Sequence, residues 1–175
     1  HLTIDAKNTV ITAGSAGMRV FSNSKVDITG NLTINAPVAI DTRGNSEINI
    51  NANGQSTVVI NGDIHFETPG SDDNSGQYLD SKVNINLVGE SSSWTGGIAK
   101  AYAEYLEDLD DKYTDVNSFS LTLKDGATWN AKLADVSGYE GGITDPSIVA
   151  NNVNLENGVI NVIDTHDVKI GTLGG

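Results

Sequence analysis

Three histidines, His1, His65 and His166, are the only imidazoles in the chain, and a metal or acid–base centre needs such groups to converge. They lie too far apart in sequence to form a ligand motif, so no metal ligand is assigned. Asp72-Asp73-Asn74-Ser75-Gly76 offers the hard oxygen donors that calcium prefers, but it lacks the acid that completes a calcium-binding loop of the EF-hand kind, and it reads as a solvated loop. Glu107-Asp108-Leu109-Asp110-Asp111 would spread its carboxylates around a helix and reads as an exposed face. Asp27, Asp41 and Asp63 could align on one sheet surface as the paired carboxylates of a glycoside hydrolase, yet nothing in their spacing selects them. Trp94 and Trp129 could cover a sugar ring, but each occupies the final apolar slot of a rung, where an indole fills the coil interior or covers its corner. No catalytic, cofactor-binding or metal-ligating residue is expected, and no cofactor.

Charge narrows the partners. The chain has 10 basic and 23 acidic side chains, a formal net charge of -13, which opposes the phosphate neutralisation that dominates nucleic-acid affinity and is repelled by an anionic leaflet. Arg19 and Arg43 are its only guanidiniums. A β-helical lyase needs cations to hold an acidic polysaccharide and stabilise its developing charge, so that chemistry is disfavoured. Cysteine is absent, which excludes disulfides, thiol nucleophiles and Cys-ligated zinc and suits an exported chain. No apolar run approaches the roughly 20 residues that span a bilayer as a helix.

The elements beneath these residues follow from period two. Val26-Asp27-Ile28, Leu32-Thr33-Ile34, Val38-Ala39-Ile40, Ile48-Asn49-Ile50, Val58-Val59-Ile60 and Ile64-His65-Phe66 each alternate β-branched or apolar residues with others, the mark of short strands with one buried face. Gly and Asn number 19 each against 3 Pro, a composition of tight corners that accept left-handed backbone. Val26, Ile28, Gly30, Leu32 and Ile34 have the offsets of Val58, Ile60, Gly62, Ile64 and Phe66, a unit of two apolar pairs hinged at glycine. Looser copies start at 121 and 153, and Ile85-Asn86-Leu87 suggests a fifth. Such a unit cannot bury its face alone, so copies must stack. The links are too short for crossover helices, and the pattern predicts a right-handed single-stranded parallel β-helix, a β-solenoid. An antiparallel sandwich turning at Asn53-Gly54, Asn61-Gly62 and Asn157-Gly158 is the rival.

Two stretches interrupt the pattern. Residues 67–80 are polar and turn-rich and read as a projecting loop. In residues 97–113, Ile98, Tyr102, Tyr105, Leu106, Leu109 and Tyr113 fall at spacings of three and four, which predicts an amphipathic helix docked outside the coil. The whole of 1–175 is read as one β-helix fragment.

Leu87-Val88-Gly89-Glu90-Ser91-Ser92-Ser93-Trp94-Thr95-Gly96 and Leu121-Thr122-Leu123-Lys124-Asp125-Gly126-Ala127-Thr128-Trp129-Asn130 resemble the leucine, small-polar, tryptophan rungs of pertactin-like autotransporter passenger domains. Residues 148–160 followed by 168–175 are similar to the final coils of that family. The resemblance covers residues 83–175, while residues 2–66 share only the general β-helix habit. It implies a passenger stem carried by type V secretion to the surface of a Gram-negative bacterium, beginning mid-domain here and followed after Gly175 by an outer-membrane barrel. Passengers of this kind act as adhesins or self-associate, so the implied partners are surface proteins, glycans or further copies of the chain, with no catalytic site in the stem. A polysaccharide-processing β-helix enzyme is the competing reading; it requires a groove with two or three carboxylates around one substrate bond.

Overall fold

The computed structural model describes residues 1–67, 81–103, 118–137, 142–145 and 150–175. Among the described residues fourteen strands form one curled, mostly parallel sheet, and there is no helix. In chain order they are β1 (Leu2–Thr12), β2 (Ala16–Phe21), β3 (Lys25–Arg43), β4 (Glu47–Ile50), β5 (Val58–Glu67), β6 (Lys82–Val88) and β7 (Ser93–Gly96). Then come β8 (Ile98–Ala103), β9 (Ser118–Lys124), β10 (Thr128–Ala131), β11 (Gly142–Asp145), β12 (Ala150–Glu156), β13 (Val159–Val162) and β14 (Ile170–Gly174).

The pairing runs along three strips. In the first, Ile4 of β1 lies opposite Ile28 of β3, which is followed by Ile50 of β4, Ile85 of β6, Leu121 of β9 and Val153 of β12. The second strip carries Ile11, Ile34, Ile60, Trp94, Trp129 and Ile160 on β1, β3, β5, β7, β10 and β13. In the third, Met18, Ile40, Ile64 and Ile98 line up on β2, β3, β5 and β8. Like residues therefore stack on like, and each row is a column of the core. Trp94 and Trp129 are fully buried and stacked, with ring centroids 4.9 Å apart and planes 3° from parallel. Each indole N–H donates to a backbone carbonyl, Trp94 to Gly62 at 2.9 Å and Trp129 to Gly96 at 3.1 Å, so burial leaves neither unsatisfied.

The long strands bend where the strips meet. Gly30 stands between the first and second strips with φ 85°, and a Cβ there would sit 1.8 Å from the Ala6 carbonyl oxygen. Gly62 stands between the second and third with φ 140°, and its Cβ would meet the Ala36 oxygen at 1.9 Å. Only glycine allows the backbones to approach this closely. Asn51 solves another corner with side-chain chemistry: at φ 54° and fully buried, its Oδ1 accepts from the N–H groups of Gln55 and Ser56, while Nδ2 donates to the Ser56 and Asn86 carbonyls.

The expected core is present, with corrections elsewhere. Val26, Ile28, Leu32, Ile34, Val58, Ile60, Ile64, Phe66, Leu121, Leu123 and Val153 are buried, and Leu155 is partly buried against them. Pairing is parallel throughout except for β8 with β11 and one isolated bridge, which overturns the antiparallel rival. The offsets shared by the units at 26 and 58 do not mark equivalent positions: Val58 lies opposite Leu32 and Ile60 opposite Ile34, so the two units turn different corners. Two apolar pairs hinged at glycine look the same at either corner. From 121 onward the alignment agrees with the register, Leu121 facing Val153 and Leu123 facing Leu155. The helix expected over 97–113 fails in its first half, because residues 98–103 are strand β8 and Ile98 to Ala101 pair with Ile64 to Glu67. Residues 104–113 lie outside the described residues, as do 68–80 of the expected loop; Glu67 itself ends β5.

Candidate functional site

Two outward surfaces carry the polar side chains. The first belongs to the first and second strips, where the residues alternating with the core columns are mostly Asn, Thr, Ser and Asp. Because the register repeats, these side chains face one another across neighbouring strands and bond in series. Asn84 Nδ2 donates to Asn49 Oδ1 at 2.8 Å, and Asn49 Nδ2 donates to Asp27 Oδ1 at 2.8 Å. On the second strip Asn161 Nδ2 donates to Asn130 Oδ1 and Asn130 Nδ2 to Thr95 Oγ1, both at 3.2 Å. Thr29 with Asp5, Asn31 with Asn8 and Asn61 with Asn35 extend the ladders at 2.8, 3.1 and 2.8 Å. Lys25 Nζ lies 2.9 Å from Glu47 Oε1, and the Asn49 and Lys25 donors hold the Glu47 carboxyl below its ordinary range.

The second surface is a recess on the outer side of the third strip. Arg19, Asp41 and His65 share one register position on β2, β3 and β5, and Glu67 follows two residues after His65. The segment 132–137, after β10, reaches back over this side: the Asp135 N–H donates to Asp63 Oδ2 at 2.8 Å, while the Gly97 N–H donates to Asp63 Oδ1 at 2.9 Å. The result is a cavity of about 330 Å³ lined by Arg19, Asp41, His65, Glu67, Asp135 and Ser137 together with the turn 14–16.

Burial sets the electrostatics there. Asp41 is 3% exposed and His65 1%, although both stand on the outward side of their strands. Burial, then the neighbouring Glu67 charge, pushes the Asp41 carboxyl up to about 7, against the pull of Arg19 and Arg43. Burial pushes the His65 imidazole down, against the nearby carboxylates of Asp63, Glu67 and Asp135. The recess therefore holds a neutral imidazole beside a carboxyl that exchanges its proton near neutrality. Arg19 Nε lies 3.3 Å from Asp41 Oδ2, and Asp41 Oδ1 is buried without a hydrogen-bond donor among the described residues. Arg43 stands 4.3 Å over the Phe21 ring and 3.9 Å from Glu67 Oε2, so its guanidinium is held at the rim.

The candidates raised from sequence are dispersed. Asp27, Asp41 and Asp63 do not form one group: Asp27 belongs to the first-strip ladder, and Asp63 spends both oxygens on backbone N–H groups. His1 lies 2.6 Å from Asp27, His65 is in the recess, and His166 pairs with Asp164 at 3.4 Å. Among the described residues no group of three His, Cys, Asp or Glu side chains is arranged to hold a metal. Trp94 and Trp129 are interior, which removes the sugar-stacking reading. Residues 72–76 and 107–111 lie outside the described residues. Sequence reasoning missed the company of Asp41, because it places Glu67 in the loop 67–80 and weighs Arg19 only as a scarce cation. The signal was available in part, since Asp63, His65 and Glu67 are polar or charged at spacing two and alternate with the apolar Ile64 and Phe66. No family model matches the chain, and neither curated proteins nor solved structures give a match.

Proposed function

We propose that the chain is a stretch of right-handed parallel β-solenoid acting as a non-catalytic stem or adhesive passenger on the surface of a Gram-negative bacterium, exported as an autotransporter. The observation that carries this reading is the ladder of hydrogen-bonded Asn, Thr and Asp side chains running from strand to strand on the first and second strips. A repeating amide and hydroxyl surface presents many equivalent donors and acceptors, so contacts of modest strength add along the stack when the partner repeats too. Glycans and a second copy of the chain are such partners. The net charge of -13 favours neutral or cationic partners over nucleic acid.

The recess counts against the enzymatic alternative. Glycoside hydrolysis needs carboxyl groups about 5 Å or more apart, with the sugar bond or a water between them. Asp41 and Glu67 are close enough for a hydrogen bond to help raise the Asp41 carboxyl, which leaves no such gap. The test is to display the chain on non-adherent cells and score cell aggregation and binding to glycan-coated surfaces. Adhesion should fall when Asn49 and Asn84 are both changed to Lys. Cleavage of a polysaccharide by the purified chain, lost on changing one carboxylate to its amide, would replace this reading with the enzymatic one.

A further inference from the structure

We infer that the outer face of the second strip is a track for an uncharged, extended polysaccharide, a β-linked hexose chain lying along the stack and across its strands. The inference rests on the adhesive reading, of which it names the partner and the strip that takes it.

Composition sets this face apart. Its outward positions form two columns across β1, β3, β5, β7, β10 and β13: one runs from Val10 through Thr33, Val59, Ser93 and Thr128 to Val159, the other from Thr12 through Asn35, Asn61, Thr95 and Asn130 to Asn161. Neither column holds a charged side chain, although the chain carries a net charge of -13. The first strip, by contrast, sets Asp27, Glu47 and Lys82 among its outward residues.

Charge and shape select the partner. A polyanion is repelled by the chain as a whole, and a cation finds its attraction in the carboxylates of the other strips. A second copy of the chain offers the same amides but brings a further -13, so like charge opposes its docking. Neither the recess nor the hollow lined by Asn53, Asn86, Lys124 and Glu156 takes in a residue of the two columns, so the partner lies along the face instead of entering it. Strands about 4.8 Å apart give the six-stranded face a length of roughly 24 Å, over which a polymer adds one weak contact per strand.

Chemistry narrows the polymer to sugar. Asn61 Nδ2 donates to Asn35 Oδ1 and Asn161 Nδ2 to Asn130 Oδ1; each bond uses one N–H and one lone pair, so the amides keep further donors and acceptors for hydroxyl groups. The neighbouring column contributes the methyls of Thr33, Val59, Thr128 and Val159, which suit the C–H faces of sugar rings. An equatorially linked hexose chain presents C–H on its faces and hydroxyls at its edges, and it advances by nearly one strand spacing per sugar.

The test titrates the purified full chain by calorimetry at physiological salt with cellohexaose, cellobiose and hexagalacturonate as separate probes. Cellohexaose should bind saturably and about tenfold or more tighter than cellobiose, because only the longer chain spans several strands. Hexagalacturonate, of equal length but anionic, should bind about tenfold or more weaker than cellohexaose. Changing Val59 and Thr128 together to Glu should weaken cellohexaose by a similar factor, with circular dichroism to confirm that the variant is folded, while Thr122→Asp on the first strip should leave the affinity unchanged. Equal affinity for cellobiose and cellohexaose, preference for hexagalacturonate, undiminished binding in the folded double variant, or no binding of cellohexaose by the parent each overturns the inference. Self-association of the parent that the double change abolishes and cellohexaose leaves intact would assign the face to a second copy and overturn it too. The comparison of the three probes on the parent chain decides the matter even if the double variant does not fold. A chain that ignores cellohexaose yet still adheres when displayed on cells refutes this inference alone and spares the adhesive reading.

Discussion

The outer sides of the first and third strips are built by the same alternation along parallel strands, yet their polar residues behave differently. On the first strip Asp27, Asn49 and Asn84 remain partly exposed and bond to one another. On the third, Asp41 and His65 are almost fully buried and their proton affinities are displaced in opposite directions. The difference lies in the cover. Nothing described crosses the first strip at Asn49, whereas the turn 14–16 and the segment 132–137 wall the third, with Asp135 fastened to Asp63. An outward position in a sheet is therefore a statement about strand geometry; what passes over it decides its dielectric surroundings and hence its chemistry.

The strongest way to break this comparison is to test whether inside and outside are assigned correctly. Leu123→Asp would place a charge in the column Leu87, Leu123 and Leu155 and should cost several kcal/mol, measured by guanidinium unfolding. The adjacent outward change Thr122→Asp should stay within about 0.5 kcal/mol of the parent. Similar losses at both positions would refute the alternation.

A change at the recess sharpens the contrast through pH. The folded chain keeps the Asp41 proton up to about 7 while the ordinary value is 3.8, so the destabilisation from Asp41 is absent below the lower value and complete above the upper. His65 acts the other way: its lowered folded value means that stability is lost as pH falls below about 6.5, where the unfolded imidazole takes up a proton first. The two effects oppose each other in the parent. Asp41→Asn removes the first, so the variant should gain stability relative to the parent as pH rises from about 4 to 7, with a slope of at most about 1.4 kcal/mol per pH unit. Unfolding midpoints across that range measure it, and a constant difference would show that Asp41 titrates normally.

Corner chemistry should have a smaller effect. Asn51→Ala removes a side chain that satisfies four backbone groups at a left-handed position, and should cost about 1 to 3 kcal/mol. Asn51→Gly relieves the backbone strain, so its cost, read in the same unfolding experiment, should be the lower of the two. The smallest effect belongs to the exposed ladder. Asn49→Ala should shift stability by less than about 1 kcal/mol, because water replaces the lost partners at a half-exposed site.

Much of the core was legible from composition and period. Alternating β-branched residues specify which side chains turn inward, because a pleated strand sends successive side chains to opposite faces, and the glycine hinges mark where backbones crowd. That reasoning identified the inward residues and left each tryptophan either inside the coil or over its corner; the register stacks both inside. It did not decide which corner each hinge turns, since the units at 26 and 58 are alike in pattern and differ only in the strand opposite. Nor did it identify β8. Spacings of three and four in 97–113 match a helix, but Ile64 to Glu67 offers a row of backbone donors and acceptors, and Ile98 to Ala101 pairs with it; tertiary pairing outweighed local preference.

The recess was less legible still. Arg19, Asp41, His65 and Glu67 come from three strands, and only the register brings the first three into one row. Alternation in the chain by itself turned His65 outward between Ile64 and Phe66; the fold decided that the four residues meet under cover, because proximity and desolvation arise from strands and segments distant in sequence and cannot be read from any one of them.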